Sequence, residues 1–174
     1  ETYVTFLNSA GTASSGFEYD WSYMSYSLAA NYELSDDMAV FGSISKGSRV
    51  NADRLGDGGF YRNGTAADGS VENELSSFEL GAKVDADDYS LFATVFYVET
   101  DDVNSESTNA NGGARVRGYE STGLELEASI QIGEIDLRGS MTWTDAEIVS
   151  SNDATIIGNT PRRQADFVWS LSPS

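Results

Sequence analysis

Apolar and polar residues alternate with a period of two through most of this chain. Leu124, Leu126, Ala128, Ile130 and Ile132 alternate with Gly123, Glu125, Glu127, Ser129 and Gln131. Ile135, Leu137, Gly139, Met141 and Trp143 alternate with Asp136, Arg138, Ser140, Thr142 and Thr144. Successive side chains of a strand point to opposite faces, so each segment has one apolar face and one polar face. Read this way, the chain holds eight strands: Thr2–Leu7, Tyr23–Leu34, Met38–Ser48, Leu75–Val84, Tyr89–Glu99, Val116–Ile132, Ile135–Ala146 and Gln164–Leu171. Helix signals are nearly absent. A sheet of this kind either covers a core and faces water, or faces lipid and encloses a wet lumen.

The connections bear on that choice. Ser35-Asp36-Asp37 and Asp85-Ala86-Asp87-Asp88 are short, and Gly133-Glu134 is a two-residue hairpin with Gly placed for a type II′ turn. Between them run long polar segments, Asn8–Ser22, Arg49–Glu74, Thr100–Arg115 and Glu147–Arg163. Short turns at one end and long loops at the other is the habit of an outer-membrane barrel. A soluble sandwich has little reason to alternate so regularly.

The apolar rows point the same way. Met24, Tyr26, Leu28, Ala30 and Tyr32 form one row; Phe78, Leu80, Ala82 and Val84 form another; Ala165, Phe167, Trp169 and Leu171 form a third. None holds a charge, which at mid-membrane would cost about 2–4 kcal/mol for Arg or Lys. Tyr26, Phe78, Tyr97, Trp143 and Phe167 fall toward the long-loop end, and Tyr32 and Tyr89 toward the short-turn end. Two aromatic bands with aliphatics between them suit two membrane interfaces, although strand propensity alone also favours aromatics. Phe41, Phe92 and Phe96 fall on polar rows, which suggests packing against something inside the lumen, such as a plug.

Composition narrows the function. The chain has 174 residues, 22% charged, with 17 Gly and 2 Pro, and a net charge of −18. That charge repels phosphate backbones, so no nucleic-acid partner is expected. Cys and His are both absent, which removes disulfides, Cys or His metal sites and the usual nucleophile–base pairs. Neither catalytic residues, a metal nor a cofactor is expected. The carboxylates Glu125 and Glu127 read as solvated lumen residues or partners of residues such as Arg138. Asp85-Ala86-Asp87-Asp88 lacks the Gly and Glu of a calcium loop, having Ser90 and Phe96 at those places. There is no apolar run long enough for a spanning helix, and Glu1 opens directly into a strand-like stretch.

One loop stands out as a binding candidate. Arg49–Glu74 gathers Arg49, Asn51, Arg54, Tyr61 and Arg62 in an otherwise acidic chain, and Arg115 and Arg117 end another long loop. Arg pairs carboxylate or phosphate through two parallel hydrogen bonds, and Tyr stacks on flat rings. A solvated loop whose Arg balance Asp53 and Asp57 is the plainer alternative.

Several stretches together resemble a known family. They are Tyr26-Ser27-Leu28-Ala29-Ala30-Asn31-Tyr32-Glu33-Leu34-Ser35-Asp36-Asp37, then Val40-Phe41-Gly42-Ser43-Ile44 running into Ser45-Lys46-Gly47-Ser48-Arg49. Next come Glu74 with Phe78-Glu79-Leu80-Gly81-Ala82-Lys83, a partner strand ending Phe96-Tyr97, Thr122-Gly123-Leu124-Glu125-Leu126-Glu127, and Gly158-Asn159-Thr160-Pro161 before a final strand. In this order they resemble the barrel of TonB-dependent outer-membrane receptors. The resemblance implies an all-β, antiparallel, up-and-down transmembrane barrel of roughly 22 strands with a plugged lumen. This chain would supply about eight consecutive strands from its C-terminal half. Residues 1–174 are then a partial barrel domain, with the plug domain, the TonB box and the terminal strands outside them. The implied partners are outer-membrane lipid, an extracellular small-molecule or oligosaccharide ligand, and TonB acting through the plug. The implied function is import of a scarce nutrient: a siderophore, cobalamin or an oligosaccharide. Two alternatives remain at this point, a complete eight-stranded barrel with an adhesive or structural role and a soluble ligand-binding β-barrel.

Overall fold

The structure is a computed structural model, and it describes residues 2–7, 13–19, 22–50, 72–108 and 114–173. Among the described residues every regular element but one is a strand. β1 (Thr2–Leu7) and β2 (Ala13–Tyr19) pair antiparallel as a separate ribbon. The strands β3 (Tyr26–Ser35), β4 (Met38–Val50), β5 (Glu72–Asp85), β6 (Tyr89–Thr108), β7 (Ala114–Ile132), β8 (Ile135–Ser151) and β9 (Phe167–Pro173) form one seven-stranded sheet in chain order. All its neighbours are antiparallel. A single 3-10 turn, Ala154–Ile156, lies between β8 and β9.

Register turns the alternation into two faces. Leu80, Val95, Leu124, Trp143 and Phe167 lie side by side across β5 to β9, and next to them run Ala82, Ala93, Leu126, Met141 and Trp169. On the opposite face Gly81, Thr94, Glu125, Thr142 and Val168 form the matching row. The apolar face is bare: Leu28 is 67% exposed, Tyr32 69%, Trp143 47% and Trp169 65%. No described residue covers Leu124, Leu126, Ile130, Met141 and Trp143 into a dry core; Leu124, Leu126 and Met141 are half-buried, and the other two are exposed. A soluble protein does not leave so broad an apolar surface open. The polar face is instead knit by hydroxyls, with Ser45 against Ser77 (2.8 Å), Ser90 against Ser129 (2.7 Å) and Ser140 against Ser170 (2.7 Å).

The aromatic bands slide diagonally across the sheet. The upper band moves from Tyr26 on β3 through Phe78 and Tyr97 to Trp143 and Phe167, two rows further down the ladder. The lower one moves in the same direction, from Tyr32 on β3 to Tyr89 on β6. This drift is the stagger that tilted strands require. Tyr89 to Tyr97 spans about 27 Å along β6, which at a tilt of about 40° covers roughly 21 Å of bilayer.

Several boundaries differ from the sequence reading. Asn8–Ser22 is not wholly a loop, since β2 forms within it. The second predicted strand begins at Tyr26 rather than Tyr23, and the last begins at Phe167 rather than Gln164. Much of Thr100–Arg115 is strand, because β6 runs to Thr108 and β7 starts at Ala114. Two of the inner-face phenylalanines lie over glycines of the sheet: Phe41 covers Gly81 and Phe96 covers Gly123, each the residue directly opposite, while Phe92 is exposed. A closed eight-stranded barrel is not formed, since β1 pairs with β2 and, among the described residues, β3 and β9 are the open edges of the sheet. The Gly133 turn is as expected: Gly133 has φ +64 between the paired Ile132 and Ile135.

Candidate ligand-binding site

Beyond the upper aromatic band β4 to β8 continue as a polar sheet, and there two of the candidate residues, Arg49 and Arg117, share a row. Arg49 lies opposite Asn73, Asp102 lies opposite Arg117, and Arg117 lies opposite Ser151. The Asn73 amide donates to the Asp102 carboxylate at 3.0 Å and joins the two pairs into one row. Parity places this row on the polar face, the side of Thr94 and Glu125. Adjacent strands are about 4.8 Å apart, so the backbones of Arg49 and Arg117 are roughly 14 Å apart across three strand spacings. One row nearer the membrane, Leu75, Thr100, Tyr119 and Ile148 make an apolar and aromatic floor.

Arg117 has the most telling environment. Its side chain is half-buried, and its Nε is buried with no hydrogen-bond partner among the described residues. A buried donor of a charged group is costly to leave unsatisfied. Asp102 is its register partner across the strand pair, so a carboxylate and the guanidinium stand on neighbouring strands of one face.

Local structure accounts for the burial near this row. Ile148 donates its N–H to Asn159 (3.0 Å) and accepts from Gly158 (2.9 Å), so the segment after β8 folds back along it. Asp153 caps the 3-10 turn by accepting from the Thr155 N–H at 3.1 Å. Thr144, Ala146 and Ile148, all on the polar face, are the buried stretch of β8.

Among the residues singled out in sequence, the structure brings Arg49 and Arg117 into one row. The Arg115 backbone lies two residues further along β7, opposite Asn104. Asn51, Arg54, Tyr61 and Arg62 lie outside the described residues. Sequence reasoning missed Asn73, Asp102 and Tyr119; the signal was their parity with Arg49 and Arg117, hidden for Asn73 and Asp102 because their segments were read as loops, and for Tyr119 because its strand's neighbours at that level were not yet paired with it. A second, open groove of about 380 Å³ lies on the polar face at the short-turn end, lined by Phe92, Glu127, Arg138 and several serines. Arg138 does not pair with Glu127 there: it donates to Asp136 at 2.8 and 3.2 Å.

The comparisons fit this geometry. The family model described as TonB dependent receptor-like, beta-barrel matches residues 1–172. Among solved structures the chain is similar to the FrpB iron transporter from Neisseria meningitidis (F3-3 variant), with a TM-score of 0.63 and 14% identity. The match covers 86% of this chain and 24% of that one, so this chain spans about a quarter of the transporter's length. At that identity the likeness speaks to the fold alone. A comparison with curated proteins gave no match.

Proposed function

We propose, for a chain that belongs to the TonB-dependent receptor β-barrel family, that it forms the ligand-facing part of a receptor importing a scarce nutrient. The family is one of the outer membrane, which makes the bare apolar face the lipid-facing side and the hydroxyl-rich face the lumen wall. The ligand is captured at the extracellular ends of the strands and in the lumen. Its release inward is driven by TonB through a plug domain lying outside these residues.

The observation that carries this reading is the row Arg49–Asn73–Asp102–Arg117 on the lumen side above the aromatic band. The half-buried Arg117 guanidinium in that row suits a carboxylate, phosphate or hydroxyl-rich ligand, and Tyr119 in the next row suits a flat ring. In this reading the loop residues Asn51, Arg54, Tyr61 and Arg62, with Arg115, also contribute to binding the ligand. A siderophore, cobalamin or an oligosaccharide each meets that description.

Growth of cells that hold the intact receptor, with and without TonB, on ferric siderophores, cobalamin or oligosaccharides as limiting nutrient tests the reading. Deletion should abolish growth on one of them. Wild-type receptor should restore it only with TonB present, and the Arg49→Ala, Arg117→Ala variant should restore it poorly. Normal growth of the deletion strain on every nutrient would remove the proposal.

A further inference from the structure

Above the upper aromatic band both faces of the sheet meet water, yet the register sorts charge between them. Glu99, Glu120 and Glu147 stand side by side on β6, β7 and β8. In the next row outward Glu74 lies opposite Asp101, and in the next row inward Asp145 lies opposite Thr122. Parity with Val95, Leu124 and Trp143 puts all six carboxylates on the outer face, continuous with the lipid-facing rows below. The described cation in those rows is Lys46, which forms an ion pair with Glu74. From the band up to the Arg117 row, the lumen face carries Arg49 and Arg117 with a single described carboxylate, Asp102. Arg162 and Arg163 belong to the turn before β9, outside these rows.

Stability does not call for this sorting. Like charges directly opposite across strands are destabilising, and Glu120 meets one on each side. The consequence lies in the field. Charged groups on the two faces of a sheet are about 10 Å or more apart. The screening length in physiological salt is about 8 Å. The outward carboxylates are therefore largely hidden from the lumen, where the two arginines prevail. Deeper in the lumen the wall turns acidic, with Glu79, Glu125 and Glu127 against Lys83, and Arg138 engaged by Asp136. Positive potential is thus confined to the mouth. A concave surface of one sign between low-dielectric walls concentrates ligands of the other sign.

We infer that the nutrient captured at this row is an anion, bound through negatively charged oxygens, as of a carboxylate, phosphate or catecholate, between Arg49 and Arg117. This deepens the import reading and rests on it. Guanidinium matches such oxygens through paired, charge-assisted hydrogen bonds. With their backbones roughly 14 Å apart, two long side chains reach a ligand of several rings from both sides. A cation would instead be drawn to the outer flank of the strands, away from the lumen, and a neutral ligand would gain nothing from the sorted charge.

The test takes cells with and without the intact receptor and limits growth by one nutrient at a time. Ferric enterobactin and ferric citrate are anionic, ferrichrome, cyanocobalamin and maltohexaose are neutral overall, and ferrioxamine B is cationic. Deletion should abolish growth on an anionic nutrient and spare the neutral and cationic ones. Binding of that anion to the intact receptor in mild detergent should weaken severalfold between about 50 and 500 mM salt. The double variant Arg49→Gln, Arg117→Gln should bind it about tenfold or more weakly and lose most of the salt dependence. Glu120→Gln with Glu147→Gln, on the outer face, should stay within about twofold of wild type. The salt titration needs only wild-type protein, so it stands even where the arginine variant fails to fold. Loss of growth on a neutral or cationic nutrient would overturn the inference and leave the import reading in place. Salt-independent binding of the anion, or wild-type affinity in the arginine variant, would overturn it as well. Normal growth of the deletion strain on every nutrient would instead remove the import reading itself, and this inference with it.

Discussion

Phe96 on β6 covers Gly123, the residue directly opposite it on β7. A Cβ on Gly123 would clash with the Phe96 ring and lie 2.5 Å from the Trp143 carbonyl oxygen. The missing side chain is therefore the space the ring occupies. Phe41 and Gly81 repeat the arrangement on β4 and β5. These rings pack on the sheet itself, which lets large apolar side chains sit on a wet lumen wall.

Gly123→Ala is expected to destabilise the barrel by about 1–3 kcal/mol through overpacking. Adding Phe96→Ala should recover part of that loss, because the ring is one of the two obstacles. Urea unfolding of the intact receptor in lipid vesicles, run as a double-mutant cycle, measures the coupling. Strict additivity would show that the ring and the glycine are independent.

The lipid-facing row predicts a sharp contrast between faces. Leu126→Arg, between Ala93 and Met141, should cost about 2–4 kcal/mol in vesicle refolding. Thr142→Arg, beside Glu125 on the lumen wall, should cost far less. Equal penalties would mean the two faces meet the same medium.

Much of this was legible in the sequence, and the failures share a cause. Between the aromatic bands one face meets hydrocarbon, so Leu124 to Ile132 alternates cleanly and reveals its strand. Above the upper band both faces meet water. There Thr100 to Thr108 carries no apolar row, although β6 continues by backbone pairing with β7. Asp102 and Asn73 lie in that region, so they read as loop residues while the ladder places them between Arg49 and Arg117. The strand β2 was hidden for a similar reason: Ala13–Tyr19 is small and polar at most positions. Gly133 was readable because a two-residue hairpin demands a specific backbone.

That demand can be checked. With φ +64 at Gly133, replacement by Ala should cost about 1–2 kcal/mol from left-handed strain, and Gly133→Asn should cost less. Vesicle refolding of the two variants measures the difference. No penalty for Ala would mean the hairpin rearranges freely.

Arg117 is expected to act through its donors, not through charge alone. Arg117→Lys keeps the charge and loses the planar fork, so it should weaken ligand binding nearly as much as Arg117→Ala, by about tenfold or more. Half-saturation of uptake in cells holding the intact receptor reads this directly. Full activity of the Ala variant would move the site elsewhere.

The central claim is that the apolar face of β7 touches lipid and the polar face touches water. These 174 residues hold no cysteine, and with any cysteine elsewhere in the intact receptor replaced, spin labels can be placed one at a time from Gly123 to Ile130 in lipid vesicles. Relaxation by oxygen should peak at positions 124, 126, 128 and 130, and relaxation by a water-soluble nickel chelate at 123, 125, 127 and 129. The same alternation with the opposite phase, or none at all, would contradict the account.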